Sequence, residues 1–310
     1  MQAVSLNPIL FTQVPPLDAV VSKFTSFLDT SSLPSSLTKE TVVNLLTQKI
    51  QPYLQSRSDL SSGKTQTAPS LSPVTLAEWT TTTAHIATTL PASNLFPFID
   101  LWRLALLDQD ITARLATVSS AHNPPLILIS RVEQELSTDS ASASRGTVLT
   151  TLRMLANAFG AESLARAIVN VPSSCEQVIK FLVACLLHKD ASVRTAAASA
   201  VFNLAALLQR GRVNRVRAGL SDSTLGEFDG DWEVEVVSAV VEAIGREAES
   251  EDVGKCQRLS SSFNVLITMF CQSTVSRRPL LCCYGSCRFT TKSWPHFWKF
   301  CKHEMSLTTN

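Results

Sequence analysis

Glycine and tyrosine are scarce in this 310-residue chain, at ten and two residues, and β-sandwiches and barrels draw on both for their turns and strands. The scarcity argues against those classes. Charge of either sign is also lacking in net terms, since 27 Lys and Arg stand against 26 Asp and Glu for a formal +1. No whole-molecule field therefore draws nucleic acid, and recognition by charge must come from local patches. Nowhere do 18 apolar residues run together, the length a transmembrane helix needs. Met1 to Val14 has no basic region ahead of an apolar block and is broken by Asn7, Pro8 and Gln13, so it does not read as a signal peptide. The eight cysteines are scattered and include no Cys-x-x-Cys pair. With Cys175 and Cys185 inside apolar stretches, the expectation is reduced, buried thiols in a cytosolic or nuclear protein. Gly-rich loops that hold phosphates and paired carboxylates of glycoside chemistry are missing as well.

What is present is helical pattern. Hydrophobic residues make up 45% of the chain, enough for a substantial core. In the alanine-rich stretch from Lys189 to Leu208, the residues Val193, Ala197, Ala200, Val201, Leu204 and Leu208 recur at intervals of three and four, with Asp190 placed as an N-cap. Small side chains on such a stripe let a neighbouring helix come close, as stacked helical repeats require, although a plain core helix reads the same way. Earlier helices are expected over Leu17 to Leu28 and Leu37 to Leu54. The Ser, Thr, Gly and Pro-rich stretch from Gln55 to Ser72 reads as a flexible linker. Beyond it, Thr75 to Leu90 keeps helical spacing despite a weak run of four threonines. Helices then follow near 95–107, 110–118, 124–136, 145–159, 161–170, 174–188, 191–209, 231–249 and 251–270. Ser173 and Glu176 fit a capping box, and Pro124 and Pro125 fit a helix's first turn. Short connections favour antiparallel hairpins stacked side by side. The expected class is all-α, an armadillo-like α-solenoid of stacked helical hairpins. Its organisation is a short helical N-terminal segment at 1–55, a linker at 56–72, the main domain at 73–270 and a tail at 271–310.

Four stretches carry a family resemblance. Leu95 to Leu104, reading Leu-Phe-Pro-Phe-Ile-Asp-Leu-Trp-Arg-Leu, resembles the opening signature of the PUL domain, an armadillo-like module. Leu152 to Phe159 resembles its Leu-Arg…Asn…Phe helix, Lys189 to Asn203 its next helix, and Asp252 to Leu259 its last acidic-then-Arg-Leu segment. Residues 1–55 resemble the link that follows a thioredoxin-like domain in fungal proteins joining a thiol peptidase, a thioredoxin-like fold and this module. Neither upstream domain corresponds to any part of these 310 residues.

The resemblance implies a basic concave groove that captures the acidic C-terminal tail of a hexameric AAA ATPase, valosin-containing protein. That would make the chain an adaptor among ubiquitin-pathway proteins, with no cofactor. Arginine suits the task because it forks two hydrogen bonds onto a carboxylate. Arg153, Arg194 and Arg258 are the candidate tail-binding residues, with Lys189 and Arg103 behind them. The competing reading is that long cationic side chains only cover apolar helix surface. A general armadillo-type scaffold for another peptide, or part of a thioredoxin-like or thiol peptidase redox or deconjugation protein, are the alternative functions.

Other clusters point to less. Arg210, Arg212, Arg215 and Arg217 form the densest basic run, read as a solvated connection, and no aromatic residue lies between Phe202 and Phe228 to stack on bases. Nucleic acid and membrane are therefore not expected partners. Asn203, inside an apolar helix, is expected to satisfy a backbone group across the stack. Cys271, Cys282, Cys283, Cys287, His296, Cys301 and His303 have poor zinc spacing, so no metal is expected. From about Ser260 the sequence departs from the family pattern, as a shifted reading frame or retained intron would produce. A catalytic cysteine is not expected, because Cys175 and Cys185 sit on apolar helix faces and His188 reads as an end-of-helix cation.

Overall fold

A computed structural model describes residues 6–31, 33–34, 37–63, 70–138, 144–218 and 231–248. Among the described residues there is no strand, and the fold is all-α with helices packed on one another in a solenoid-like class. The chain divides into two compact units, one of Ile9–Phe181 and one of Met1–Pro8 with Leu182–Asn310.

In the first unit, the helices are α1 (Leu17–Leu28), α2 (Lys39–Leu45), α3 (Gln51–Ser61), α4 (Pro73–Thr89), α5 (Phe96–Ala105), α6 (Gln109–Leu115), α7 (Pro124–Thr138), α8 (Arg145–Gly160) and α9 (Glu162–Val169). α10 (Pro172–Leu186) begins in this unit and continues past its last residue, Phe181. A π turn at Leu46–Ile50 joins α2 to α3. The helix expected to stop at Leu54 instead continues to Ser61, so the first part of the expected linker, Gln55 to Ser61, is helical. Pro52 does not end the run, and lies in the first turn of α3 directly after the π turn. Gly63, at φ +74°, follows the end of that helix in the left-handed region. Residues 64–69 of the expected linker lie outside the described residues.

The N-terminal helices are built into this same unit. α1 packs on α5 and α3, with Phe24 and Phe98 rings 4.9 Å apart and Phe27 edge-on to Phe96 at 5.9 Å. Ser72 Oγ caps α4 by accepting the Thr75 N–H at 3.0 Å. The threonine run is helical because tertiary contacts outweigh propensity. Thr83 is fully buried, donates its hydroxyl to the Trp79 carbonyl and accepts the Trp102 indole N–H at 2.9 Å. Trp79 and Trp102 stack at 3.8 Å, both with no exposed surface. Asp108 caps α6 by accepting the Asp110 N–H at 2.8 Å, and its other oxygen accepts the Tyr53 hydroxyl while Arg57 Nε stands 3.5 Å away. Burial first, then the bond to Asp108, pushes the Tyr53 phenol above its ordinary value, so it stays a donor.

α10 begins at Pro172, not at Ser173, because proline is preorganised for the first helical position. Ser173 and Glu176 therefore do not form the expected capping box. In the second unit, α11 (Ala191–Arg217) starts where expected: Asp190 Oδ1 accepts the Ser192 and Val193 N–H groups at 2.8 and 3.2 Å. Burial along α11 is wider than a single stripe. Leu208 is only half-buried, whereas Ala196, Ala198, Phe202, Ala205 and Ala206 are buried along with the expected face. The same helix holds a segment long and apolar enough to cross a membrane, but 78% of its apolar window is buried, as in a core helix. Arg212 and Arg215, expected in a connection, lie within α11, since arginine is a good helix former. α12 (Asp231–Ala248) packs on α11 and buries Val236, Val240 and Ala243.

Candidate peptide-binding site

Two packed helices of the first unit, α5 and α8, build a cradle for extended backbone. Arg103 sits in the last turn of α5 with 4% exposure, and its Nε donates to Asp100 Oδ1 at 2.6 Å, which fixes the plane of its guanidinium. Asn157 of α8 is 1% exposed and ties the helices together, its Nδ2 donating to the Arg103 carbonyl at 2.9 Å. Arg153 lies one helical turn before Asn157 on the same face, with its side chain exposed.

The cradle is filled by the chain's own non-helical segment before α1. The Phe11 N–H donates to Asn157 Oδ1 at 2.8 Å, and the Phe11 carbonyl accepts from Asn157 Nδ2 at 3.1 Å and Arg103 Nη1 at 2.6 Å. Arg103 Nη2 reaches the Gln13 carbonyl at 2.9 Å. The Arg153 guanidinium lies 5.7 Å from the centre of the Phe11 ring, within cation–π range. One carboxamide thus reads both backbone groups of a single residue, and one guanidinium reads carbonyls two residues apart.

Of the expected tail-binding residues, this arrangement brings Arg103 and Arg153 onto one segment. Arg103 is buried and engaged with backbone carbonyls. Arg153 presents an exposed cation. Arg194 and Lys189 belong to the second unit. There Arg194, 7% exposed, donates through Nη1 to the His188 and Lys189 carbonyls at 2.8 Å each, and Lys189 is exposed. Arg246 donates to the neighbouring Leu187 carbonyl at 2.6 Å. Two arginines therefore satisfy the carbonyls beyond α10. His188 is not the end-of-helix cation expected. Its Nδ1 accepts the Asp190 N–H at 3.0 Å, and burial, aided by Lys189 and Arg194 against the pull of Asp190, holds its pKa below the ordinary histidine value. Arg258 and the cysteine and histidine cluster at 271–303 lie outside the described residues. Asn203 is fully buried.

Asn157 and Phe11 are contact residues of this arrangement that the pattern of apolar positions does not single out. The available signal was an amide among Met154, Leu155, Ala156, Ala158 and Phe159, all buried, since such an amide must find partners.

Burial pushes the Cys175 thiol up to about 11 and Cys185 higher still, far from the thiolate that nucleophilic attack requires. Iodoacetamide at neutral pH is expected to leave both unmodified in the folded protein and to label both in denaturant, as read by peptide mass mapping. Rapid labelling of either native thiol would show that it is open to solvent and not buried.

A protein-family model, PUL domain, matches residues 5–270. No curated protein and no solved structure matches the chain. The matched span begins ahead of the cradle's occupant and covers the N-terminal helices as well as α4 onward.

Proposed function

The chain belongs to the PUL domain family, a class of protein-interaction modules, and from that premise we propose that it is a non-catalytic adaptor for the acidic C-terminal tail of a hexameric AAA ATPase. Its setting is ubiquitin-dependent protein handling in the cytoplasm or nucleus. The observation that carries the reading is Arg153, an exposed cation on α8 beside a surface already suited to extended chain. A carboxylate side chain of a tail lying there would meet a guanidinium able to fork onto it. Lys189 is a second exposed cation, while Arg103 and Arg194 act by orienting backbone.

The test is a titration of a synthetic ATPase C-terminal peptide into the full chain. Affinity should fall as salt rises, because exposed charges are screened beyond about 8 Å at physiological ionic strength. Arg153→Glu should weaken binding by about tenfold or more, the equivalent of about 1.4 kcal/mol. Arg114→Glu, reversing an exposed cation on α6, is the control. Equal losses from the two would reduce the effect to diffuse charge. Absence of binding by the parent chain would leave the second reading, a general armadillo-type scaffold. That reading is favoured by the way Arg103 and Asn157 address backbone and not side-chain carboxylates.

A further inference from the structure

We propose that Arg103, Asn157 and Arg153 form a docking site for an extended peptide bearing an aromatic residue, and that the segment from Ile9 to Gln13 is its resident, displaceable occupant. The inference rests on the chain being a peptide-binding module, and not on the identity of an ATPase tail.

Three observations support it. First, the segment is held by side chains that grip its backbone. From Leu6 to Pro16 no residue is buried, and Leu10, Thr12 and Gln13 are exposed, whereas α1 opens with Leu17 at 3% exposure. A segment integral to the core would be anchored by apolar burial, which supplies most of the stability of packed elements. Second, the cradle is arranged independently of its occupant. Asp100 fixes the guanidinium and the Arg103 carbonyl fixes the carboxamide, both through groups of α5 and α8 alone. Third, the occupant is what covers the cradle. Arg103 is 4% exposed with the segment in place, and once the segment leaves, its Asp100 bond remains while the donors that served the Phe11 and Gln13 carbonyls turn to water or to another chain. A peptide supplied by another molecule satisfies the same donors.

The geometry sets what such a peptide must carry. The residue in the Phe11 position supplies an N–H to Asn157, so it is not proline, and it places an aromatic ring under Arg153. The residue two positions on supplies only a carbonyl. The exposed side chains of Leu10, Thr12 and Gln13 set no requirement at those positions.

The probe is a fluorescent peptide with the sequence of Leu6 to Pro16, followed by anisotropy against the full chain and its Phe11→Ala variant, with helicity checked by circular dichroism. Removing the ring weakens the resident, so the peptide should bind the variant about tenfold more tightly than the parent, as expected for the loss of a cation–π contact and of the contacts of a half-buried ring. A peptide N-methylated at the Phe11 position should bind at least about fivefold more weakly, the effect of losing one hydrogen bond. No saturable binding to a well-folded Phe11→Ala chain, or equal binding of the methylated peptide, overturns the proposal. Hydrogen exchange on the parent chain gives an answer independent of any variant. The Phe11 amide should exchange about a hundredfold faster than the slowest α8 amides, through local release of the segment. Equal rates would make the segment a fixed part of the fold. Binding of this peptide without binding of the ATPase tail would remove only the tail assignment, and the converse would remove only this one.

Discussion

Trp102→Ala is expected to destabilise the Ile9–Phe181 unit by about 3–5 kcal/mol, among the larger effects a single substitution produces. Trp102 has no exposed surface, and its ring lies flat on Trp79 at 3.8 Å with only 13° between planes. Truncation removes the transfer free energy of a large indole and leaves a cavity beside Trp79, in helices that neighbouring elements hold from both sides. α5 packs on α1 and α8, while α4 packs on α7. Collapse into the space is therefore limited. The Trp102 N–H bond to Thr83 is lost as well, although Thr83 keeps its own donation to the Trp79 carbonyl. Trp102→Phe separates the contributions. It retains much of the ring volume and loses the N–H, so its cost should be about 1–3 kcal/mol. Urea titration followed by circular dichroism measures both. A loss below about 1 kcal/mol for Trp102→Ala would mean that the stacked pair is not a true core.

How far the sequence carries can be judged from particular residues. Helix existence was legible because intervals of three and four are a direct consequence of 3.6 residues per turn, and Asp190 announced the start of α11 through its capping chemistry. Boundaries set by a competing local rule were less legible. Pro52 and Pro172 each sit in the first turn of a helix, yet the helix that holds Pro52 is expected from sequence to end at Leu54 and Ser173 to act as a cap. The family was legible from the motifs around Trp102, Arg153 and Asn203, and the matched span of 5–270 agrees with it.

The site was legible only as residue types. Arg103 and Arg153 were marked as cations for a partner, but sequence spacing carries no information on a contact 92 positions apart between Arg103 and Phe11, or 146 apart between Asn157 and Phe11. A basic residue on an amphipathic helix looks the same whether it faces solvent or grips backbone. Burial distinguishes the two cases, and burial depends on what the rest of the chain places overhead. Arg194 makes the same point in the second unit, where its guanidinium serves the His188 and Lys189 carbonyls of the connection before α11.

Arg103→Ala is the second substitution with a large expected effect, about 3–5 kcal/mol, the range for breaking a buried ion pair by removing one partner. Its guanidinium and the Asp100 carboxylate are 5% and 19% exposed, so the substitution leaves Asp100 a partly buried charge without this cation. The Phe11 and Gln13 carbonyls lose donors at 2.6 and 2.9 Å in the same step, although the Phe11 carbonyl keeps Asn157. Adding Asp100→Asn should recover part of the loss by removing the orphaned charge, and the double-mutant cycle gives the coupling between them. Arg103→Lys should recover little, because a lysine ammonium is a point charge and cannot reproduce three N–H bonds aimed from one plane at Asp100, Phe11 and Gln13. The readout that separates this from simple core loss is local. In Arg103→Lys the Phe11 amide should lose exchange protection while the α8 amides retain theirs, because the grip on the segment fails before the helices do. Uniform loss of protection across α5, α8 and the segment would instead assign Arg103 to global stability alone.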